Sequence, residues 1–304
     1  MSRYRDEINA ARTRLAARDR EYLASEPFGI IEYAQHGDGP ALLVSHPLFG
    51  GFDAGIGLAE TYVGDGFRIV APSRFGYLGS TLPPKASPAL QADAYVALLD
   101  TLGIERAALF GYSAGGPAVI QFALRHPDRT CAMTLMASAL PGRAGRPPKP
   151  VAHLLFGSDP FFWALGRFLP AQFSRLLGLP RGLHLTPDQR TTLLQTEIGL
   201  LPVRERKRGV LFDIYVSNPA VQQFPLGEIR VPTLVISAKD DPMSAYDNSA
   251  DAAQWIPGAR LLTVDTGGHL LLGSEQRIRD EIQRFSTIAS PTPASQDSST
   301  RGHQ

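Results

Sequence analysis

Seven short apolar runs constrain the fold of this chain more than any other feature: GIIEYA at 29–34, ALLVS at 41–45, FRIVA at 67–71, AALFG at 107–111, AMTLMA at 132–137, TLVIS at 233–237 and RLLTV at 260–264. From ALLVS onward the apolar residues are nearly continuous instead of alternating with polar ones. A strand exposed on one face alternates, whereas one buried on both faces of a parallel sheet does not. Helical stretches such as PALQADAYVALLDTLGI and PAVIQFALRHP lie between the runs. Strand and helix in alternation predict an α/β fold with a mostly parallel sheet and right-handed crossovers.

The alternation stops near residue 140. PGRAGRPPKP opens segment 141–226, which then becomes helical, rich in leucine and phenylalanine, and carries no convincing strand. This segment is read as a helical lid inserted over the C-terminal edge of the sheet, with Phe161, Phe162 and Trp163 either forming its own small core or lining an apolar pocket. The α/β core is assigned to 26–140 and 227–286. Residues 1–25 are assigned to a helical extension, with a helix over 5–23 that places Ile8, Ala11, Leu15 and Tyr22 near one face. That helix reads as a surface element, with a dimer or membrane contact as the second reading. The Ser-, Thr-, Pro- and Gln-rich segment 287–304 is expected to be a disordered tail.

Composition narrows the function classes. A net charge of +1 gives no electrostatic reason to expect nucleic acid. The single cysteine, Cys131, excludes an internal disulfide and reads as a buried structural thiol. No apolar run approaches the roughly 20 residues of a membrane helix, and the arginine-rich N-terminus also carries Asp6, Glu7, Asp19 and Glu21, unlike a transit peptide. The chain therefore reads as cytoplasmic, without integral membrane association. Its expected partner is a small-molecule substrate, and a homodimer is compatible with the sequence.

The chemistry centres on Gly111-Tyr112-Ser113-Ala114-Gly115. The pentapeptide follows a buried strand directly and precedes a helix in which Pro117 occupies the first turn. Glycines two positions either side of Ser113 leave room for a tight strand–turn–helix corner that lifts the hydroxyl clear of the sheet. A serine hydroxyl needs a base to take its proton. Among the seven histidines, His126 ends a helix, His36 sits in a surface turn, His303 is in the tail, and His153 and His184 lie in the helical segment without a supporting motif. His269, in TVDTGGHLL, stands on a glycine turn just past the last strand. The base needs an acid to fix its tautomer. Asp240 and Asp241 end the penultimate strand, with Asp265 and Asp247 as weaker candidates.

These residues, with SHPLFGG at 45–51, APSRFGYLGST at 71–81 and IPGARLLTVDTGGH at 256–269, resemble the α/β-hydrolase fold superfamily in its lidded, esterase-like branch. The resemblance runs from about residue 28 to about residue 286. It implies a mostly parallel sheet with helices on both faces and a helical lid inserted after the sixth strand. The family's small-x-x-Asp spacing selects Asp241, through Ala238-Lys239-Asp240-Asp241, and leaves Asp240 to face solvent or cap the following turn. The resemblance also implies an oxyanion hole made by the backbone N–H groups of Leu48 and Ala114. Where relatives show His-Gly-x-x-Gly, this chain has His46-Pro47-Leu48-Phe49-Gly50, and His46 reads as a loop-bracing residue. Relatives that open epoxides or remove halides carry aspartate at the elbow, so Ser113 favours acyl transfer. The expected function is hydrolysis of a carboxylic ester of a small, largely apolar substrate through an acyl-enzyme. The alternatives are a C–C bond hydrolase or perhydrolase-type relative using the same triad, and a non-catalytic receptor. No cofactor and no metal are expected.

Overall fold

The apolar runs become neighbours in one eight-stranded sheet. The computed structural model describes residues 2–143 and 145–289. The strands are β1 (Glu21–Ser25), β2 (Gly29–His36), β3 (Ala41–Ser45), β4 (Arg68–Pro72), β5 (Ala107–Tyr112), β6 (Thr130–Met136), β7 (Thr233–Ala238) and β8 (Arg260–Val264). Their spatial order is β1-β2-β4-β3-β5-β6-β7-β8. From β4 to β8 every pairing is parallel, and only β1 and β2 run antiparallel to their neighbours.

Period-two alternation within each strand sends successive side chains into two different cores. Leu43, Leu109 and Val235 pack with α3 (Pro88–Thr101), α4 (Gly116–Arg125) and α11 (Tyr246–Trp255) through Leu98, Val119 and Ala252. Their chain neighbours Leu42, Phe110 and Ile236 face α2 (Phe52–Tyr62) and α12 (Glu275–Ala289) through Phe52, Ile56 and Ile282. All six residues of β7 are buried. Both faces of the sheet are covered, which is why the runs need no polar side. Local signals fix the helix starts: the Ser87 hydroxyl accepts from the Leu90 N–H at 3.1 Å, with Pro88 in the first turn.

Between β6 and β7 the chain forms α5 (Lys149–Gly157), α6 (Asp159–Phe168), α7 (Pro170–Leu176), α8 (Pro187–Gly199) and α9 (Lys207–Phe212). A wider helical turn, Asp213–Ser217, then leads into α10 (Asn218–Ala220). This segment has its own core, in which Phe162, Phe173 and Val210 meet Phe49 from the sheet edge. The first helix, α1 (Ser2–Ala16), buries Ile8 and Ala11 in that same core. Glu7 accepts a hydrogen bond from Trp163 Nε1 at 2.7 Å, and Tyr4 meets the Trp163 ring edge-on.

Three expectations change, and one of two open readings is favoured. The helix expected over 5–23 ends at Ala16, and Glu21–Ser25 becomes β1, pairing with β2 and leaving Tyr22 largely exposed. Cys131 is half-buried near the start of β6, not buried. Phe162 is buried between Phe49 and Phe173, while Trp163 packs against α1, so these aromatics serve the segment's own core. Helix α12 extends through Ala289, into the expected tail, and residues 290–304 lie outside the described residues.

The helical segment is fastened to the sheet by a buried ion pair. Arg74, just past β4, holds Asp213 through two hydrogen bonds of 2.6 Å, and the Tyr77 hydroxyl donates to the same carboxylate. Burial alone would lower the Arg74 pKa, but the adjacent Asp213 charge overrides it and keeps the guanidinium firmly protonated. Removing one partner leaves an uncompensated buried charge. Asp213→Ala is therefore expected to cost about 3–5 kcal/mol in urea unfolding. The exposed Lys239–Asp265 pair provides the contrast: Asp265→Ala should leave the unfolding midpoint where it is.

Candidate active site

Ser113 follows the last residue of β5, in a tight helical turn, Ser113–Gly115, that runs into α4. Its φ of 51° lies in the left-handed region, where a non-glycine residue carries strain of about 1–3 kcal/mol. The flanking glycines make this corner possible. A Cβ on Gly115 would sit 2.0 Å from the Ser45 carbonyl oxygen, and one on Gly111 would sit 2.5 Å from Val119 Cγ2. The glycines of the motif are thus required by the approach of β3 and α4.

Two loops at the same edge of the sheet complete the group. Asp241 lies just past β7, where its Oδ1 accepts from the backbone N–H groups of Met243 and Ser244 at 2.7 and 3.0 Å. Its other oxygen lies 2.8 Å from His269 Nδ1, and His269 Nε2 lies 2.8 Å from Ser113 Oγ. An ionised carboxylate only accepts, so Nδ1 carries the proton and Nε2 offers its lone pair to the serine hydroxyl. All three side chains are buried. Asp240 is half-buried, and instead of capping the turn that follows it, its carboxylate accepts from the N–H groups of Gly267 and Gly268, bracing the turn that carries His269. Asp265 pairs with Lys239 on the surface, and Asp247 lies in the first turn of α11.

Three residues that the sequence did not single out orient the histidine. The Tyr112 hydroxyl donates to the His269 carbonyl at 2.7 Å, and its ring stacks on the imidazole at 5.9 Å. Tyr62 donates to the Leu270 carbonyl at 3.0 Å. The His269 N–H donates to Gly178 O at 2.9 Å, so the helical segment touches the histidine loop directly.

The loop after β3 carries Leu48. Pro47 has no N–H to lose a partner; its carbonyl accepts from Gly50 N–H at 3.1 Å and His46 Nδ1 at 2.8 Å. Phe49 takes a left-handed φ of 61°, and a Cβ on Gly50 would collide with the His46 ring at 2.4 Å. His46 Nε2 accepts from the Arg74 N–H at 3.0 Å. Both ring nitrogens are thereby committed to bracing the loop. Arg206, fully buried, grips the other end through Gly50 O at 2.6 Å and a bidentate pair with Asp53. Burial would raise the Asp53 carboxyl, but the Arg206 guanidinium overrides it and holds it below its usual range. Leu48 and Ser113 line the same cavity, and Ala114 is the middle residue of the helical turn Ser113–Gly115, whose first N–H groups lack intrahelical partners.

A family model described as alpha/beta hydrolase fold matches residues 40–276. The chain belongs to the α/β-hydrolase fold family. Over 262 residues this hydrolase is 29% identical to the uncharacterized hydrolase YcgS of Bacillus subtilis, covering 81% of this chain and 91% of that protein. It is 27% identical over 264 residues to the 2-hydroxymuconate semialdehyde hydrolase of Pseudomonas putida, covering 84% and 86%. Among solved structures, an alpha/beta hydrolase fold protein from Nakamurella multipartita superposes with a TM-score of 0.74 at 25% identity, covering 90% of this chain and 100% of that one. Among the described residues, no helix of the hydrolase is long and apolar enough to cross a membrane.

Two cavities meet at Ser113 and His269. One, of 260 Å³, is walled mainly by apolar side chains that include Leu58, Leu176, Leu200 and Leu272. The other, of 510 Å³, is bounded by Arg143, Arg146, Asn218 and Gln222 as well as apolar groups. None of Phe161, Phe162 and Trp163 lines either one.

Burial, then the Arg74 and Arg206 charges, push the His46 pKa well below its usual 6.5, against the raising effect of the Pro47 carbonyl. The imidazole is thus neutral in the folded state, while the unfolded chain takes up a proton as pH drops through the usual value. Stability linked to His46 is present above that pH and lost below it. Wild type should lose stability more steeply than His46→Gln below about pH 6.5, by up to about 1.4 kcal/mol per pH unit, as read from urea midpoints at each pH.

Proposed function

We propose that this hydrolase cleaves a carboxylic ester of a small, largely apolar substrate through an acyl-enzyme. The observation that carries the reading is the relay from Ser113 Oγ to His269 Nε2 and from His269 Nδ1 to Asp241, with each link at 2.8 Å. In this reading Ser113 Oγ attacks the carbonyl carbon as His269 Nε2 takes its proton, and Asp241 stabilises the resulting imidazolium. The N–H groups of Leu48 and Ala114 receive the negative charge that develops on the carbonyl oxygen; donors of this kind contribute about 3–4 kcal/mol each to the transition state. His269 then returns the proton to the leaving alcohol. Water, deprotonated by the same ring, cleaves the acyl-enzyme to release the acid and restore Ser113.

The helical segment 141–226 serves as the lid. Its Leu176 and Leu200 close the apolar cavity over Ser113, which suits an apolar acyl chain and keeps bulk water from the acyl-enzyme. A C–C bond hydrolase is the second reading, supported by the likeness to the 2-hydroxymuconate semialdehyde hydrolase of Pseudomonas putida. The buried relay weighs against a receptor that only binds its ligand.

A series of p-nitrophenyl esters of increasing acyl length tests the proposal. Wild type should turn over the shorter members. Ser113→Ala should lower kcat by at least about 10⁴-fold, and Asp241→Asn by about 10⁴-fold through the wrong histidine tautomer. If no ester is cleaved while a vinylogous 1,5-diketone is, the C–C reading replaces the ester reading. Equal rates for wild type and Ser113→Ala would remove both.

A further inference from the structure

We propose that the larger cavity recognises a carboxylate on the part of the substrate opposite its apolar chain, through Arg143 and Arg146; this rests on the ester-hydrolase reading of the same site. The two cavities share Ser113 and His269 but differ in chemistry. A bond placed at Ser113 therefore has one substituent directed into an apolar enclosure and the other into a cavity whose lining includes two exposed arginines. Among the described residues, no aspartate or glutamate lines that second cavity, and apart from His269 its only ionisable side chains are Arg143 and Arg146.

These two arginines differ from those that support the fold. Arg74 and Arg206 are each paired with a carboxylate. Among the described residues, no hydrogen bond or ion pair engages either the Arg143 or the Arg146 guanidinium. The backbone that carries them is nevertheless held in place. Gln222 exchanges two hydrogen bonds with Gly142, at 3.1 and 2.9 Å, and Asn248 Nδ2 donates to Arg143 O at 3.1 Å. Tyr215 fixes the next residue after Arg146 by donating to Pro147 O at 2.8 Å. Side chains from three separate elements thus pin the backbone on either side of these two cavity-lining arginines, whose guanidinium groups have no partner among the described residues. Asn218, on the same wall, has its Oδ1 buried without a hydrogen-bond partner among the described residues, an acceptor suited to a hydroxyl or amide N–H near the carboxylate. A guanidinium fork matches a carboxylate better than any neutral group of that size.

The test compares 4-(butyryloxy)benzoate with its neutral methyl ester, which share the acyl chain and the aryl leaving group. Wild type should show a KM for the anion about three- to tenfold lower, the scale of two exposed charge pairs, with similar kcat. The advantage should shrink in about 1 M NaCl, where screening is nearly complete. In Arg143→Gln/Arg146→Gln the ratio of the two KM values should approach one. Equal KM values in wild type, or an unchanged ratio in the double variant, would overturn the inference while leaving the ester reading intact. If neither ester is cleaved, the ester reading is what fails. Calorimetric titration of Ser113→Ala with 4-hydroxybenzoate then reads recognition without turnover: binding that the arginine substitutions abolish supports the inference, and no binding overturns it.

Discussion

A guanidinium with 3% of its side chain exposed must be compensated on every side, and Arg74 is. Its Nε donates to the His46 carbonyl, its backbone N–H donates to His46 Nε2, and its two terminal nitrogens hold Asp213. Those contacts join the loop after β3 to the helical segment inserted between β6 and β7. Arg206 reaches back in the opposite direction, from the helical segment to Gly50 and Asp53. The turn that carries Leu48 is therefore clamped between two buried cations, each with its own carboxylate. Such pairs add little net stability compared with apolar packing, but breaking one is costly, and that asymmetry suits a loop held in one fixed geometry.

The same economy of position governs the rest of the site. Ser113, Asp241 and His269 come from the ends of β5, β7 and β8, and parallel strands deliver all three to one edge of the sheet. Each is fixed by contacts other than those within the relay: the left-handed corner at Ser113, two backbone donors on Asp241, and Tyr112, Gly178 and Asp240 around the histidine turn. Preorganisation of this kind moves the cost of ordering from the reaction to folding.

The strands after residue 40 were legible because burial on both faces leaves a run of apolar residues with no competing reading. TLVIS, for instance, lies wholly within β7, whose six residues are all buried. β1 was not legible. EYLAS is short, polar and largely exposed at the sheet edge, and it follows α1 closely; only its pairing with β2 makes it a strand. The relay residues were legible because each stands in a local turn with a chemical reason to be there. Arg74 and Asp213 were not, since their contact joins positions 139 residues apart and no spacing rule links them. Asp240 and Asp241 were adjacent carboxylates with similar credentials. The structure gives the first to the glycine turn and the second to the imidazole.

In the proposed reaction His269 activates Ser113 as a nucleophile. That activation is tested most directly by treating the full chain with a fluorophosphonate and measuring the mass of the intact protein and its peptides. A single adduct on the peptide containing Ser113 is expected, formed rapidly by wild type and at least about 10³-fold more slowly by His269→Ala. An unmodified Ser113, an adduct on another residue, or equal labelling of the two proteins would contradict it.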